Sequence, residues 1–177
     1  SKNFALAGGV ALNCNTNTKI LEQDFCDSIF IQPAASDGGI ALGAALEASA
    51  QAGENPMTTL THAYWGPGFT NAEVETLLKE AKVRYTKEES ITEKVADLIA
   101  EGKIVSWCQG RMEMGPRALG NRSILGNPTI KGMDEKINTE VKHREVWRPF
   151  APSLIEEAAP KYFEGVAKIT SSPFMLH

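Results

Sequence analysis

The sequence lacks the residue patterns from which cysteine-based and metal-based sites are usually built. Its cysteines (Cys14, Cys26 and Cys108) stand singly, and no C-x-x-C pair occurs among the 177 residues. The three histidines are equally scattered, so the chain contains no self-sufficient zinc site. An odd number of loosely spaced cysteines indicates reduced thiols, which predicts a cytoplasmic protein.

Long hydrophobic runs and an excess of basic charge are also missing. No apolar run approaches the roughly 18–20 residues that cross a bilayer. The net charge is −4, whereas a general nucleic-acid surface needs a strong basic excess. Hydrophobic residues make up 42% and charged residues 23%, a composition typical of a globular protein. We therefore expect neither a membrane nor a nucleic acid as a partner.

Both ends of the sequence resemble cut ends. Ser1 is not an initiator methionine, and residues 173–177 stop inside a segment that resembles a strand. These two features predict an expressed fragment of a longer protein.

Alternating strand and helix patterns predict an α/β fold. In the first part we expect strands at residues 4–7 and 28–32 and an Ala/Leu-rich helix that ends near Gln51, before Gly53. Residues 55–70 are typical of a linker. In the second part, with Asn71 as a helix cap, the patterns predict helices at 72–82, 92–101, 133–141 and 156–163 and strands at 103–108 and 151–155.

Two glycine-containing turns lie where a strand gives way to a helix. In residues 8–13, Gly8 and Gly9 let the backbone approach a ligand, and the following helix offers free N–H groups to an anion. A tight turn with Asn13 as a helix cap explains the same residues. In residues 35–39, Asp37 fits either an N-cap worth about 1 kcal/mol or a metal-binding or phosphate-organising carboxylate at the sheet edge.

An arginine- and glycine-rich loop follows the third strand. Residues 103–128 contain four basic residues and one acidic residue, within a chain of negative net charge. Guanidinium groups hold phosphate or carboxylate oxygens through paired hydrogen bonds, so three arginines projecting from residues 109–123 suit a phosphorylated substrate. A solvated charged loop is the alternative.

A second basic stretch covers residues 142–153. Lys142 ends a predicted helix and Arg148 starts a predicted strand, so both could converge on one anion. Glu145 could pair with Arg148 or with its neighbour Arg144. We expect Trp147 and Phe150 to be buried beside these charges, where exclusion of water strengthens them. A helix-end charge cluster is the alternative.

The order of these four motifs resembles that of O-carbamoyltransferases of the nodulation-protein and cephamycin type, over essentially the whole chain. The resemblance implies an α/β (overall α+β) architecture. Residues 1–54 would be the end of an actin/sugar-kinase-like domain, 55–70 a linker, and 71–177 a truncated YrdC-like domain.

The resemblance also implies the reaction. Carbamoyl phosphate and ATP would give a carbamoyl-adenylate in the second domain, and the first domain would pass the carbamoyl group to a hydroxyl of a small molecule such as a sugar or antibiotic. The implied residues for carbamoyl phosphate are Arg117, Lys142 and Arg148. Those implied for the nucleotide are Gly8, Gly9, Asn13 and Gly38.

The resemblance further implies a metal and leaves part of the site outside the chain. Asp37 would be one ligand of an iron-type divalent metal, with Mg²⁺ as a second candidate. The histidine ligands would lie upstream of residue 1, so we expect a chain that folds without turning over. The resemblance leaves a homodimer open. A sugar-kinase-like ATPase and a non-catalytic phosphometabolite-binding module are the competing hypotheses.

Overall fold

The computed structural model describes residues 2–57, 59–163 and 172–177, and the chain divides into two compact units. Unit 1 comprises Ser1–Trp65, Glu113–Leu119 and Leu154–His177, whereas unit 2 comprises Gly66–Met112 and Gly120–Ser153. Each unit combines helices with a two-stranded sheet, in agreement with the predicted α/β class. The domain boundaries at residues 54 and 71, and the two domain types, stay predictions.

Unit 1 is built around a β-α-β arrangement. Strands β1 (Asn3–Leu6) and β2 (Ser28–Ile31) pair in parallel, with Asn3 opposite Ser28. Helix α1 (Cys14–Leu21) lies in the connection, as a parallel pair requires a crossover. The carboxyl ends of both strands therefore meet at one sheet edge, and both glycine-containing turns follow from that edge.

The core of unit 1 gathers side chains from distant parts of the sequence. Its members share burial in one hydrophobic cluster and are Ala11, Ile31, Ala63, Phe174 and Leu176. The last helix of the first region, α2 (Ile40–Gln51), contributes none of its side chains to this core. It ends before Gly53, whose φ of 84° is the left-handed conformation that closes helices, as the sequence predicts.

Unit 2 begins with helices α3 (Asn71–Glu80) and α4 (Ile91–Ala100). Strands β3 (Val105–Cys108) and β4 (Arg122–Leu125) follow as an antiparallel pair, and a short helix α5 (Met133–Lys136) runs into a π-helical turn, Ile137–Val141. Val95 of α4 is buried and, with Trp107 and Leu125, lines a small apolar cavity between the helix and the sheet.

Two predicted strands and one predicted helix cap differ from the structure. No strand forms at residues 151–155, where Pro152 cannot donate a ladder hydrogen bond. Residues 173–177 form a turn, with Met175 at a φ of 54°, rather than a strand. Thr70, not Asn71, caps α3. The predicted helix at 156–163 is confirmed as a 3-10 turn, Glu156–Ala158, followed by α6 (Ala159–Tyr162).

Helix lengths bear on membrane association. Within the described ranges, every helix is too short or too polar to span a bilayer.

Candidate functional site

Residues 8–13, here called the glycine turn, leave β1 and enter α1. Gly8 adopts a φ of 89°, which favours glycine. A Cβ atom placed on Gly8 or Gly9 would have no heavy atom of the described residues within 4 Å, so these residues leave the space over both glycines open. Asn13 caps α1, because its Oδ1 accepts a hydrogen bond from the Thr16 N–H at 3.2 Å. The glycine turn is therefore accessible to a ligand. The prediction that Asn13 caps the following helix is confirmed.

The aspartate turn, Asp37–Gly39, lies next to the glycine turn. The Gly8 N–H donates to the Ala35 carbonyl at 2.7 Å, which joins the two segments at the sheet edge. Asp37 is exposed. No side chain caps either this turn or α2, so the prediction that Asp37 acts as an N-cap is wrong. The reason is geometric: the 3-10 turn places Gly39, rather than Asp37, at the start of the helix.

The arginine loop comprises residues 109–123, and its central part, Glu113–Leu119, belongs to unit 1. Arg117 is half-buried and its Nη2 donates to the Leu12 carbonyl at 2.6 Å, so this guanidinium lies against the glycine turn. Its Nε is buried and has no hydrogen-bond partner within the described part of the chain. Glu113, 9% exposed, accepts the Leu119 N–H through Oε1 at 2.8 Å and closes the segment.

The other two arginines of the loop, Arg111 and Arg122, lie in unit 2 and donate hydrogen bonds to backbone carbonyls of that unit. Arg122 Nη1 donates to the carbonyls of Gln109 at 2.7 Å and Asn121 at 2.9 Å. The Arg111 Nε donates to the Gly66 carbonyl at 3.0 Å. The prediction that three guanidinium groups project from the loop is therefore wrong for these two, because backbone carbonyls take up their donors.

The basic loop, residues 142–148, follows the π-helical turn of unit 2. Lys142 is exposed, and its ammonium has no hydrogen-bond or ion-pair partner among the residues that the structure describes. Arg148 pairs with Glu145, with 2.9 Å between Nε and Oε2, which decides the alternative that the sequence left open. Both side chains of this pair are about half exposed, so the pair itself adds little stability.

Arg144 lies on the inner side of the basic loop. Its Nε donates to Asn138 Oδ1 at 2.6 Å, and its guanidinium carbon lies 4.8 Å from the centroid of the Phe150 ring. Trp147 was expected to be buried beside the charges, but it is 74% exposed. That prediction is wrong because Arg144 and Phe150, rather than Trp147, pack on the inner side.

The predicted carbamoyl-phosphate residues are divided between the two units. Arg117 lies in unit 1, and Lys142 and Arg148 lie in unit 2. Lys142 and Arg148 lie at the two ends of the basic loop, and their convergence on one anion stays a prediction. Their convergence with Arg117 on a single anion stays a prediction.

Asp37 is the residue predicted to bind a metal ion. Residues 2–57, 59–163 and 172–177 contain no group of three or more His, Cys, Asp or Glu side chains that could hold a metal ion. The Asp37 carboxylate alone does not provide the several ligands that iron-type ions or Mg²⁺ require. The described residues therefore do not make up a metal site, and no reaction step is assigned to a metal.

Three buried polar side chains were not predicted from the sequence. Among the described residues these are Asn17, Glu113 and Asn138. Each forms hydrogen bonds to the backbone of a loop that carries candidate ligands. Asn17 Nδ2, for example, donates to the Ala11 carbonyl at 2.8 Å and so fixes the glycine turn.

Comparison with protein families gives matches at both ends of the chain. Residues 1–46 match the family model described as the carbamoyltransferase N-terminus, and residues 96–177 match the one described as the carbamoyltransferase C-terminus. The two matches contain the glycine turn, the aspartate turn, the arginine loop and the basic loop.

Curated relatives extend over nearly all of the chain. Nodulation protein NolO of Bradyrhizobium diazoefficiens is 45% identical over 97% of this chain and 32% of its own length. Nodulation protein NolNO of Sinorhizobium fredii is 43% identical over 98% of the chain and 26% of its own length. An uncharacterized protein of Synechocystis is 45% identical over 99% of the chain and 29% of its own length. The chain thus spans about a third or less of the length of these relatives.

Proposed function

Since this chain belongs to the carbamoyltransferase family, we propose that the full-length protein carrying it transfers a carbamoyl group from carbamoyl phosphate to a hydroxyl of a small-molecule acceptor. ATP is the second substrate in this proposal. The observation that carries it is the basic loop, in which an exposed ammonium, without a partner among the described residues, and a guanidinium occur on one short segment inside the matched C-terminal region.

Lys142 and Arg148 differ in the way they would bind the anion. The ammonium of Lys142 is a compact charge with three donors, whereas the guanidinium of Arg148 presents a planar fork that matches two phosphate oxygens. The Arg148 Nε is already engaged by Glu145, which leaves the terminal nitrogens for the ligand. Such groups stabilise negative charge as it develops on phosphate oxygens during the reaction.

The proposed chemistry proceeds in two steps. In the first, carbamoyl phosphate loses its phosphate by reaction with one water molecule, and the resulting carbamate oxygen bonds to the α-phosphorus of ATP as pyrophosphate leaves. In the second, the acceptor hydroxyl attacks the carbamoyl carbon and loses its proton, and AMP leaves. The carbamoyl-adenylate is therefore formed and consumed, and the products include phosphate, pyrophosphate and AMP.

Unit 1 is proposed to serve the nucleotide part of the reaction. The open space over Gly8 and Gly9 supports close approach of a ligand to the backbone. Asn13 and Gly38 belong to the two neighbouring turns and complete the proposed set. Arg117 stays a candidate for carbamoyl phosphate, although its Nη2 would have to exchange the Leu12 carbonyl for a ligand oxygen or bind through its other terminal nitrogen.

The nature of the released phosphate product tests this proposal. The full-length protein is incubated with ATP and carbamoyl phosphate, and the products are identified by ³¹P NMR. Pyrophosphate formation that depends on carbamoyl phosphate is expected. ADP instead of pyrophosphate would indicate a sugar-kinase-like ATPase, and neither product would indicate a phosphometabolite-binding module.

Replacing Lys142 tests the role of the basic loop in the same assay. Lys142→Ala is expected to abolish pyrophosphate release, because it removes the ammonium proposed to bind the phosphate group. Lys131→Ala, at an exposed lysine of the same unit outside the loop, is the matched control and should release pyrophosphate as the wild type does. Near-normal release by Lys142→Ala would remove this residue from the mechanism.

A further inference from the structure

Asn138 is fully buried, although it carries one of the most polar side chains. Its exposed fraction is 0%, and it lies in the π-helical turn immediately before the basic loop. Burial of a carboxamide costs free energy unless its donors and its acceptor find partners. A buried asparagine at this position therefore calls for a specific set of hydrogen bonds.

The partners of Asn138 all belong to the basic loop. Its Nδ2 donates to the Val146 carbonyl at 3.1 Å and to the Arg148 carbonyl at 2.9 Å. Its Oδ1 accepts from the Arg144 Nε at 2.6 Å, and its backbone carbonyl accepts the Arg144 N–H at 3.0 Å. One side chain thus satisfies two backbone acceptors and one guanidinium donor within residues 144–148.

The backbone of this loop needs such support. His143 has a φ of 47°, in the left-handed region that residues other than glycine seldom adopt. Conformations of this kind persist where surrounding contacts over-determine them. The Lys142 N–H also bonds back to the Ile137 carbonyl at 2.9 Å, which anchors the start of the loop to the same π-helical turn.

We propose that Asn138 is a positioning residue, which fixes the basic loop in the conformation that presents Lys142 and Arg148 to one anionic ligand. The role rests on the proposed function for its ligand, carbamoyl phosphate. Asn138 itself is buried beneath the loop and acts only through the loop. The exposed side chains of Lys142 and Arg148, on the same loop, carry the charge.

The chemistry of the site requires a carboxamide. The loop offers two carbonyl acceptors and one N–H donor, and only asparagine among side chains of this size supplies two donors and an acceptor. Aspartate keeps the shape and the bond from Arg144 but loses both donors. The Val146 and Arg148 carbonyls would then face a carboxylate, which repels them.

The first measurement concerns the loop itself and does not depend on the proposed function. Hydrogen–deuterium exchange is followed in the full-length protein over peptides that contain residues 142–150. Asn138→Asp is expected to exchange at least about tenfold faster there, because two of the hydrogen bonds that fix the loop are lost. Val95→Ala, which truncates a buried side chain elsewhere in unit 2, is the control for general destabilisation. Equal exchange rates in Asn138→Asp and the wild type would contradict the proposal that the Asn138 side chain fixes the loop.

The second measurement is the steady-state kinetics of pyrophosphate release. In Asn138→Asp the KM for carbamoyl phosphate is expected to rise by on the order of tenfold to a hundredfold, because misplacement of binding groups by about an ångström has effects of that size. A merely structural role would lower the active fraction, and hence the apparent kcat, while leaving KM unchanged. Val95→Ala should show that second pattern. Unchanged KM in folded Asn138→Asp would overturn the positioning role.

Two further outcomes are distinguishable. Where Asn138→Asp does not accumulate as folded protein, Asn138→Ser, which keeps one donor in a smaller volume, is measured in the same two assays and is expected to give intermediate values. If the wild-type protein releases no pyrophosphate, both the proposed function and the positioning role are contradicted. The exchange data still decide whether Asn138 fixes the conformation of the loop.

Discussion

At the scale of single residues, buried asparagines fix the loops that carry the candidate ligands. Asn17 Nδ2 donates to the Ala11 carbonyl of the glycine turn and to the Leu176 carbonyl. Asn138 Nδ2 donates to two carbonyls of the basic loop. The motif residues themselves could be predicted from sequence, since glycine and arginine clusters are visible in a single chain. The buried asparagines could not, although asparagine inside a helical segment is unfavourable without a special role, and that was the available signal.

The partners of charged residues also depend on three-dimensional contacts. Sequence reasoning left open which arginine pairs with Glu145, and the structure assigns Arg148. It predicted three projecting arginines, but Arg111 donates to the Gly66 carbonyl and Arg122 to the Gln109 carbonyl. The residue types predict an anion site, whereas the choice between backbone and ligand as partner depends on the loop conformation.

Substitution of Gly39 tests the geometry of the aspartate turn. A Cβ atom there would overlap the Ala34 carbonyl oxygen and would lie 3.0 Å from Gln32 Oε1. Gly39→Ala is expected to lower the free energy of unfolding by about 1–3 kcal/mol, the usual cost of overpacking. Urea denaturation of the full-length protein, followed by a probe in unit 1, measures the change.

Gly38→Ala is the matched control for this prediction. Its added Cβ would meet only the Ala34 Cβ, at an ordinary contact distance of 3.8 Å. We expect stability to be unchanged or to rise by up to about 1 kcal/mol, because alanine has less conformational entropy to lose on folding. Equal destabilisation by the two substitutions would contradict the close approach seen at Gly39.

At the scale of secondary-structure elements, boundaries were predictable where glycine ends a helix. Helices α2 and α4 end before Gly53 and Gly102, both at positive φ. The strand predicted at 151–155 does not form, because Pro152 cannot donate a ladder hydrogen bond. The strand predicted at 173–177 is a turn instead. Strand β4 was missed because its first two residues, Arg122 and Ser123, belong to the polar arginine loop, which leaves only Ile124 and Leu125 to show an apolar pattern.

The N-terminus of α3 provides a test of stability at this scale. The Thr70 hydroxyl accepts the Glu73 N–H, and the Glu73 carboxylate accepts the Thr70 N–H, which forms a capping box. Thr70→Ala is expected to destabilise the protein by about 1 kcal/mol in urea denaturation. Thr76→Ala lies within the same helix and should leave stability unchanged or slightly increase it, because alanine is the better helix former. Equal losses in both variants would contradict the capping role.

The same capping box predicts a pH dependence. Hydrogen bonds from the Thr70 N–H and hydroxyl lower the pKa of Glu73 below its ordinary value of 4.5. A carboxyl group whose pKa is lower in the folded state adds stability above its unfolded pKa, and this stability is lost as the pH falls through the folded pKa. The stability difference between the wild type and Glu73→Gln should therefore be constant near neutral pH and shrink below about pH 4.5. A difference that grows on acidification would contradict the assignment.

At the scale of the whole molecule, unit 1 leaves surfaces that a parallel sheet does not usually expose. Parallel strands normally have both faces covered, yet Phe30 of β2 is 51% exposed and Ile40 of α2 is 68% exposed. The chain spans about a third or less of the length of its curated relatives. The sequence predicted the class and many of the local elements, but not the exposure of these apolar side chains, because exposure depends on contacts between segments that are distant in the sequence.

Direct titration of carbamoyl phosphate onto the full-length protein, by isothermal calorimetry at fixed ionic strength, tests most directly whether the basic loop binds the anionic substrate. Wild-type protein and Lys131→Ala are expected to bind with the same Kd. Lys142→Ala and Arg148→Ala should each weaken binding by about tenfold or more, since hydrogen bonds to charged groups contribute about 1.5–3 kcal/mol each. Wild-type affinity in both loop variants would contradict the account.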